Sequence, residues 1–227
     1  MPDRLVLFDI DCTLIDAHGA GGRAILRAIK DVYGVEGELG DYSFHGRTDP
    51  GIISDLAALW GAAESDAATE SCIARYVELL REEIARVEVE TLPGIRELVT
   101  ALVADRRALV GLLTGNVAEG ARLKLEPTGL LPHFKVGAYG SDSGLRADLP
   151  AVAVARAEAL HGRRYAGKDV VVIGDAPADI ECGASLGVTA VGVATGRHGV
   201  DELAGYGPDH LFADFTDWRA AYAAIMG

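Results

Sequence analysis

The chain has 227 residues, of which 49% are hydrophobic, and its formal net charge is −13 at pH 7. This length and apolar content suffice for one globular domain with an insertion. The acidity excludes general binding to nucleic acid or to acidic membranes, because such partners attract clustered lysine and arginine. The sequence shows no apolar run long enough to span a membrane and no signal-like start, so we expect a cytoplasmic protein.

Five short apolar runs along the chain are typical of strands that are buried on both faces. They span residues 5–8, 108–113, 135–139, 170–173 and 188–193. Helical stripes of apolar residues alternate with these runs: Ile95, Leu98 and Leu102; Val152, Ala155 and Ala159; and Ile180, Ala184 and Leu186. The alternation of strand and helix predicts an α/β fold with a doubly wound parallel sheet.

The interval from residue 20 to residue 87 breaks this alternation, because it contains helical patterns and no convincing strand. Three apolar stripes predict three helices: Ile25, Leu26, Ile29 and Tyr33; Ile52, Ile53, Leu56 and Leu59; and Ile73, Tyr76, Val77, Leu80 and Ile84. We therefore expect a helical domain at residues 17–88, inserted into a core made of residues 1–16 and 89–227. Alternatively, the helices and the core form one rigid body.

Four of the apolar runs end in polar residues. The segments are Asp9-Ile10-Asp11-Cys12-Thr13, Thr114-Gly115-Asn116, Gly140-Ser141-Asp142 and Gly174-Asp175-Ala176-Pro177-Ala178-Asp179. Ligands of a doubly wound sheet bind beyond the carboxyl ends of its strands, so these segments should meet at one rim. Crowded carboxylates repel one another unless a cation lies among them, and an oxygen-rich cluster suits Mg²⁺. Each aspartate alone could instead cap a helix or a turn, but their ordered recurrence favours a site.

In these motifs, and in the position of the insertion, the chain resembles the haloacid dehalogenase superfamily and in particular its phosphatases of the phosphoglycolate phosphatase type. The resemblance covers essentially the whole chain and implies a Rossmann-like core with a helical cap. It also implies hydrolysis of a small phosphorylated metabolite. Asp9 would attack phosphorus to form an aspartyl-phosphate, while Asp11 would protonate the leaving group and later activate water.

The resemblance further implies which residues hold Mg²⁺. The expected ligands are the Asp9 carboxylate, the Asp11 backbone carbonyl and Asp175. Asp179, one turn after Asp175, is expected to support the site by orienting a metal-bound water or the basic residue.

The second motif is expected to bind the phosphoryl group. Thr114 offers a hydroxyl, Asn116 a side-chain amide, and Gly115 lies between them. The helix start at Val117 should add free backbone N–H groups. A turn that merely begins a helix is the alternative.

The sequence departs from the superfamily pattern in one place, since no Lys-Pro pair precedes the last motif. Arg146, just past the third apolar run, is the preferred substitute because its planar guanidinium can contact both phosphate and carboxylate. Lys124, on the helix after the second motif, is the second choice. Arg146 could instead be an ordinary charge at a helix start, and Lys124 a residue on a solvated helix face.

Residues of the insertion should select the substrate, and segment 44–50 has the composition of a loop between helices. Arg47 could contact an anionic tail of the substrate, although a surface pair with Asp49 is equally compatible with the sequence. His45 is the second candidate, with a surface histidine as the alternative.

Three cysteines, Cys12, Cys72 and Cys182, are widely separated and predict neither a disulfide framework nor a zinc site. Cys12 should point away from the flanking aspartates and serve packing. A phosphomutase of the β-phosphoglucomutase type, a dehalogenase and a non-catalytic phosphometabolite-binding protein are the rival functions. We expect a monomer or homodimer that binds no nucleic acid and no membrane.

Overall fold

The computed structural model of the chain describes residues 2–63 and 65–227. The strands within these ranges are β1 (Arg4–Phe8), β2 (Ile15–Asp16), β3 (Glu90–Thr91), β4 (Ala108–Leu113), β5 (Val136–Ala138), β6 (Val170–Gly174), β7 (Thr189–Val193) and β8 (His210–Phe212). Strands β6 and β7 are buried along their whole length, as expected for strands that are covered on both faces.

Six of the described strands form one parallel sheet in the order β5-β4-β1-β6-β7-β8. Strand β1 lies inside it, with Leu5 opposite Leu109 of β4 on one side and Val170 of β6 on the other. The chain therefore winds outward from β1 in both directions, which confirms the predicted doubly wound sheet. The segments that follow β1, β4, β5 and β6, residues 9–13, 114–116, 139–142 and 175–179, lie at one edge that we call the carboxyl rim.

The α-helices of the described residues are α1 (Ala20–Tyr33), α2 (Asp49–Leu59), α3 (Asp66–Ile84), α4 (Ile95–Ala104), α5 (Ala118–Leu125), α6 (Leu149–His161), α7 (Pro177–Cys182), α8 (Val200–Ala204) and α9 (Trp218–Met226). Two of the inserted helices begin with side-chain caps: Thr48 Oγ1 accepts from the Gly51 N–H and Ser65 Oγ from the Ala68 N–H. In the part of the chain that the structure describes, no helix is both long and apolar enough to cross a bilayer.

The two faces of the sheet pack against different helices. Val6 and Phe8 belong to a hydrophobic cluster that also contains Ile25 of α1 and Ile53 of α2. Residues that alternate with them on β1 belong to a second cluster with Ala153 of α6. Helices α1–α3 thus share apolar packing with one face of the sheet, and the expected division of the chain at residues 16/17 and 88/89 stays a prediction.

Two local features differ from the sequence interpretation. Strands β2 and β3 were not predicted, because two residues each are too few to show a periodic pattern; Asp16 pairs with Glu90 in this antiparallel ribbon. The predicted helical stripe over Ile180, Ala184 and Leu186 is wrong. Helix α7 ends at Cys182, and residues 184–186 form a separate 3-10 turn.

Candidate active site

The first motif leaves β1 through a tight turn that brings its aspartates to the carboxyl rim. Asp9 continues the strand, since its N–H donates to the Ile173 carbonyl at 2.9 Å. Cys12 then adopts a left-handed φ of 58°, which is uncommon for a residue other than glycine. Its N–H donates to the Ile15 carbonyl at 2.8 Å and closes the turn. As a result Asp9 and Asp11 line the same cavity.

Arg146 contacts two carboxylates of the rim. It begins the 3-10 turn Arg146–Asp148 and is only 9% exposed. One of its terminal nitrogens lies 3.1 Å from Asp9 Oδ1 and also donates to Asp179 Oδ1. Burial raises the pKa of Asp9 to about 6, and the nearby charges of Asp179 and Asp11 add to this effect against the attraction of Arg146. One cation for two buried carboxylates leaves an excess of negative charge.

Lys124 holds the second aspartate of the first motif. Its side chain points inward from α5, its Nζ lies 2.7 Å from Asp11 Oδ2 and 2.6 Å from Asn116 Oδ1, and the residue is 4% exposed. The Asn116 amide donates to the same Asp11 oxygen at 2.8 Å. Burial by itself would raise the pKa of Asp11, but Lys124 and Asn116 outweigh it and lower the pKa. Lys124 is therefore not on a solvated helix face, and Asp11 is ionised in the ligand-free protein.

The second motif packs directly on the loop that precedes α2. The Asn116 amide also donates to Thr114 Oγ1 at 2.8 Å, which fixes the side chains of this motif relative to each other. Gly115 approaches the loop so closely that a Cβ atom there would lie 1.9 Å from the Arg47 carbonyl oxygen. Only glycine fits at this close approach of two backbones.

Asp49 makes a contact with the core that the sequence interpretation missed. It is the first residue of α2, is 6% exposed, and its Oδ2 accepts from the Val117 N–H at 2.8 Å. The expectation of a free N–H at Val117 is therefore wrong, because a carboxylate from α2 caps the start of α5. Burial raises the pKa of Asp49 to about 6, against the attraction of Lys124 and the bond from Val117. The sequence signal, Thr48-Asp49-Pro50, indicates a helix start and not a contact with a distant helix.

The two expected specificity residues lie on the loop between α1 and α2. Arg47 binds Asp55 at 2.6 Å and stacks over the Tyr42 ring at 4.8 Å from its centroid. The alternative pairing of Arg47 with Asp49 is thus not formed. His45 Nδ1 lies 3.8 Å from Asp175 Oδ2, and 34% of its side chain is exposed.

These residues enclose a cavity of about 270 Å³, a size that suits a small metabolite. We call one side the core wall, which consists of Asp9, Asp11, Cys12, Thr114, Gly115, Asn116, Lys124, Arg146 and Asp175. The opposite side is the cap wall, which consists of Asp16, Ala17, Gly19, Ala20, Gly21, Gly22, Ile25, Phe44, His45, Gly46, Arg47, Asp49 and Ile52. The core wall holds most of the charged residues, and the cap wall holds most of the apolar residues.

A comparison with models of protein families identifies the family of the chain. The model of the haloacid dehalogenase-like hydrolases matches residues 4–187, which include all three motifs of the core wall. The chain belongs to this hydrolase family. A search of the curated proteins gives no match.

Solved structures share the fold of this haloacid dehalogenase-like hydrolase over nearly its whole length. A hydrolase from Pseudomonas syringae superposes with a TM-score of 0.74 at 20% identity, covering 97% of both chains. A predicted phosphoglycolate phosphatase from Haemophilus somnus 129PT gives 0.71 at 20% identity, covering 97% of this chain and 99% of the other. CbbY from Rhodobacter sphaeroides, solved in complex with phosphate, gives 0.74 at 17% identity, covering 96% of both. At these identities the likeness shows a common fold.

The core wall of this hydrolase, together with Asp179, fits a divalent cation. Carboxylate oxygens of Asp9, Asp175 and Asp179 lie within 4.8 Å of one another. Asp175 Oδ1 accepts from Thr13 Oγ1 at 3.2 Å, whereas its Oδ2 is buried and has no hydrogen-bond partner among the described residues. A buried carboxylate oxygen without a donor is costly unless a cation approaches it. The Asp11 carboxylate is turned toward Lys124, so the expected role of Asp11 as a ligand through its backbone carbonyl is compatible with this geometry.

Two further expectations from the sequence concern Cys12 and the third polar segment. Cys12 does not point away from the cavity; it is half-buried in the core wall, because its left-handed φ interrupts the alternation of the strand. The third polar segment, residues 140–142, lies outside the cavity. Asp142 there binds Arg156 at 2.6 Å and accepts from the Tyr139 N–H.

Proposed function

We propose that this hydrolase is a Mg²⁺-dependent phosphatase that hydrolyses a small phosphorylated metabolite through an aspartyl-phosphate at Asp9, in the manner of phosphoglycolate phosphatase. The position of Asp9 carries the proposal. An oxygen of its carboxylate lies within 4.8 Å of carboxylate oxygens of Asp175 and Asp179, Arg146 lies 3.1 Å from its Oδ1, and Asp11 lines the same cavity. A nucleophile, a proton-transfer group and a place for a cation are the parts that phosphoryl transfer needs.

In the first step an Asp9 oxygen forms a bond to phosphorus, and the bond from phosphorus to the ester oxygen breaks. Mg²⁺ bound by Asp9, Asp175 and the Asp11 carbonyl would screen the negative charges of the nucleophile and the phosphate. Arg146 is already held against Asp9, so its guanidinium can bind the phosphoryl oxygens without a large movement. Thr114 and Gly115 line the same cavity, and the Thr114 hydroxyl and the Gly115 backbone N–H would add donors.

Asp11 must be protonated to act as an acid, yet Lys124 and Asn116 hold its pKa low in the ligand-free protein. A phosphate dianion that enters the cavity attracts Lys124 and adds negative charge beside Asp11. Both effects raise the pKa of Asp11 and favour the neutral carboxyl. That carboxyl then gives its proton to the departing ester oxygen. In the second step the Asp11 carboxylate takes a proton from water, whose oxygen attacks phosphorus and releases Asp9 and inorganic phosphate.

The test measures phosphate release from p-nitrophenyl phosphate and from a panel of phosphorylated metabolites, with Mg²⁺ and with EDTA. The parent should turn over only with Mg²⁺, and Asp9→Asn should abolish turnover because the amide keeps the shape but is not a nucleophile. Asp142→Asn is the matched control, since Asp142 also follows a strand but lies outside the cavity. Circular dichroism should show an intact fold in both variants.

Two outcomes would contradict the proposal. Retained Mg²⁺-dependent phosphate release by Asp9→Asn would show that Asp9 is not the nucleophile. Isomerisation of a sugar phosphate without net phosphate release would assign the same residues to a phosphomutase.

A further inference from the structure

Cys12, His45 and Asp175 come together at the edge of the cavity from three separate segments. They belong to the turn after β1, the loop between α1 and α2, and the segment after β6. The Cys12 Sγ, a ring nitrogen of His45 and a carboxylate oxygen of Asp175 lie within 4.8 Å of one another. The Mg²⁺ expectation does not use the first two groups.

One oxygen of this trio has no hydrogen-bond partner among the described residues and only a long contact with His45. Asp175 Oδ2 lies 3.8 Å from His45 Nδ1, and the Asp175 side chain is 4% exposed. No hydrogen-bond donor of the described residues reaches this oxygen. Because 34% of the His45 side chain is exposed, an ion can reach the trio from outside. A buried, unpartnered carboxylate oxygen that faces a thiol and an imidazole indicates a ligand for all three.

The direction of the Cys12 side chain is set by its backbone. The left-handed φ of 58° costs about 1 kcal/mol or more for a residue with a Cβ atom. Two bonds hold it in place: the Cys12 N–H donates to the Ile15 carbonyl at 2.8 Å, and Thr195 Oγ1 donates to the Cys12 carbonyl at 2.5 Å. The thiol is therefore directed to the cavity edge before any ligand arrives.

We propose that Cys12, His45 and Asp175 form a second cation site, for a thiophilic divalent ion of the Zn²⁺ class. Thiolate, imidazole and carboxylate are the three ligand types that Zn²⁺ takes in proteins, whereas Mg²⁺ prefers oxygen. Ligand atoms around a tetrahedral Zn²⁺ lie about 3.3 to 3.8 Å apart, so no pair in the trio needs to close by more than about 1.5 Å. Water or a substrate oxygen completes the coordination. On binding, the thiol releases its proton to solvent and the sulfur bonds to the ion, while the neutral imidazole supplies a lone pair.

The two cation sites overlap at Asp175, and this overlap has a functional consequence. An ion on the trio occupies the carboxylate that the proposed Mg²⁺ site requires, so the two ions compete. The same ion ties the loop of His45 to the core wall and hinders exchange of substrate and product. Zn²⁺ should therefore inhibit the proposed phosphatase, and added Mg²⁺ should relieve the inhibition.

The direct test is a titration with Co²⁺, a spectroscopic substitute for Zn²⁺ whose bond to a thiolate produces a charge-transfer absorption band in the near ultraviolet. The parent protein should show this band, and added Zn²⁺ should remove it. Cys12→Ser should abolish the band, and His45→Asn should weaken Co²⁺ binding at least tenfold. Cys12→Gly is a second variant for the case that serine disturbs the turn, since glycine accepts the left-handed φ.

Matched controls separate the trio from other thiols and imidazoles. Cys72→Ser removes a fully buried thiol of α3, and His198→Asn removes the imidazole whose ring centroid lies 6.4 Å from that of His45. Both variants should keep the band. A band that persists in Cys12→Ser and Cys12→Gly, or that is missing from the parent, overturns the proposal.

The inhibition experiment rests on the proposed function, whereas the Co²⁺ absorption experiment does not. Cys12→Gly should require at least tenfold more Zn²⁺ than the parent for half-inhibition of phosphate release. Equal sensitivity in the two proteins would overturn the overlap at Asp175. If the parent released no phosphate from any substrate, the proposed function would fail, and the absorption band would still decide the cation site.

Discussion

The core wall and the cap wall of the cavity pair their charges in different ways. On the core wall, Arg146 and Lys124 are both less than 10% exposed, and each binds an aspartate of the same wall. On the cap wall, Arg47 binds Asp55 away from the cavity, and its side chain is 50% exposed. Removing one partner of a buried pair costs several kcal/mol, whereas an exposed pair contributes about 1 kcal/mol or less.

This difference suits two tasks. The groups that the proposed function places at the reacting phosphoryl lie where the loss of a partner is most costly, so their arrangement is stable before the ligand arrives. Arg47, which we expect to select substrates, lies where exchanging one partner for another costs little. The comparison therefore predicts large effects from changes in the core wall and modest, substrate-dependent effects from changes in the cap wall.

Among substitutions of the basic residues in the two walls, the largest effect is expected from Lys124→Met, which keeps the length of the side chain and removes its charge. Asp11 and Asn116 lose their shared cation, so kcat/KM should fall by roughly 10²- to 10³-fold. The free energy of unfolding should fall by about 3 kcal/mol. Steady-state kinetics and chemical denaturation measure the two quantities. Lys168→Met, which removes an exposed ion pair with Asp209, is the control. A loss of less than tenfold in kcat/KM would contradict the predicted difference between the two walls.

Arg146→Ala should have the next largest effect. Loss of a charge-assisted contact to the phosphoryl group should reduce kcat/KM by roughly 10- to 100-fold. Arg146→Lys should restore part of the loss, because it keeps the charge without the planar fork. Arg156→Ala, whose partner Asp142 lies outside the cavity, is the matched control. If Lys124→Met impairs turnover and Arg146→Ala does not, Lys124 alone supplies the cation.

The pH dependence of stability tests the buried contact of Asp49 with the start of α5. The pKa of Asp49 is raised from 3.8 to about 6 in the folded protein, so the folded state binds the extra proton between these values. The stabilisation by this proton is complete below about pH 4 and is lost as the pH rises through 6. From pH 4 to pH 7 the parent should therefore lose on the order of 2 kcal/mol of stability relative to Asp49→Asn, which cannot titrate. Denaturant titrations of both proteins measure the difference, and parallel curves would contradict the burial of Asp49.

Arg47→Ala should have the smallest effect and should depend on the substrate. The ratio of kcat/KM between substrates with and without an anionic tail should fall by up to about tenfold, since one charge contact is lost. Asp55→Asn should shift the ratio in the opposite direction, because it frees Arg47 from its partner. An equal loss of kcat/KM for all substrates would contradict a role of Arg47 in substrate choice.

Much of the core wall could be predicted from the sequence, because the polar end of a buried parallel strand has to lie at the rim. Asp9, Thr114 and Asp175 each follow a strand and line the cavity. The partners of Lys124 could not be predicted in the same way, since they depend on how α5 lies over the first motif. The catalytic roles of Asp9, Asp11 and Asp175 stay predictions.

Features of both walls that depend on turns and on helix packing were less predictable, for a physical reason. The contact of Asp49 with the start of α5 joins residues far apart in sequence and leaves no periodic pattern. The orientation of Cys12 depends on one left-handed φ, which a simple alternation of strand residues does not include. Turns and helix packing, which decided both cases, are set by tertiary structure rather than by local propensity.

The short ribbon of β2 and β3 has a consequence for protein engineering. The chain leaves the sheet for the inserted helices through Asp16 and comes back through Glu90, and these residues are paired neighbours. Adjacent entry and exit points are the geometry in which a segment can be exchanged between homologous scaffolds without straining the host. Grafting residues 17–89 from a relative of known specificity onto this sheet is thus a direct test of whether this segment sets substrate preference, and it leaves the strand ends of the core wall untouched.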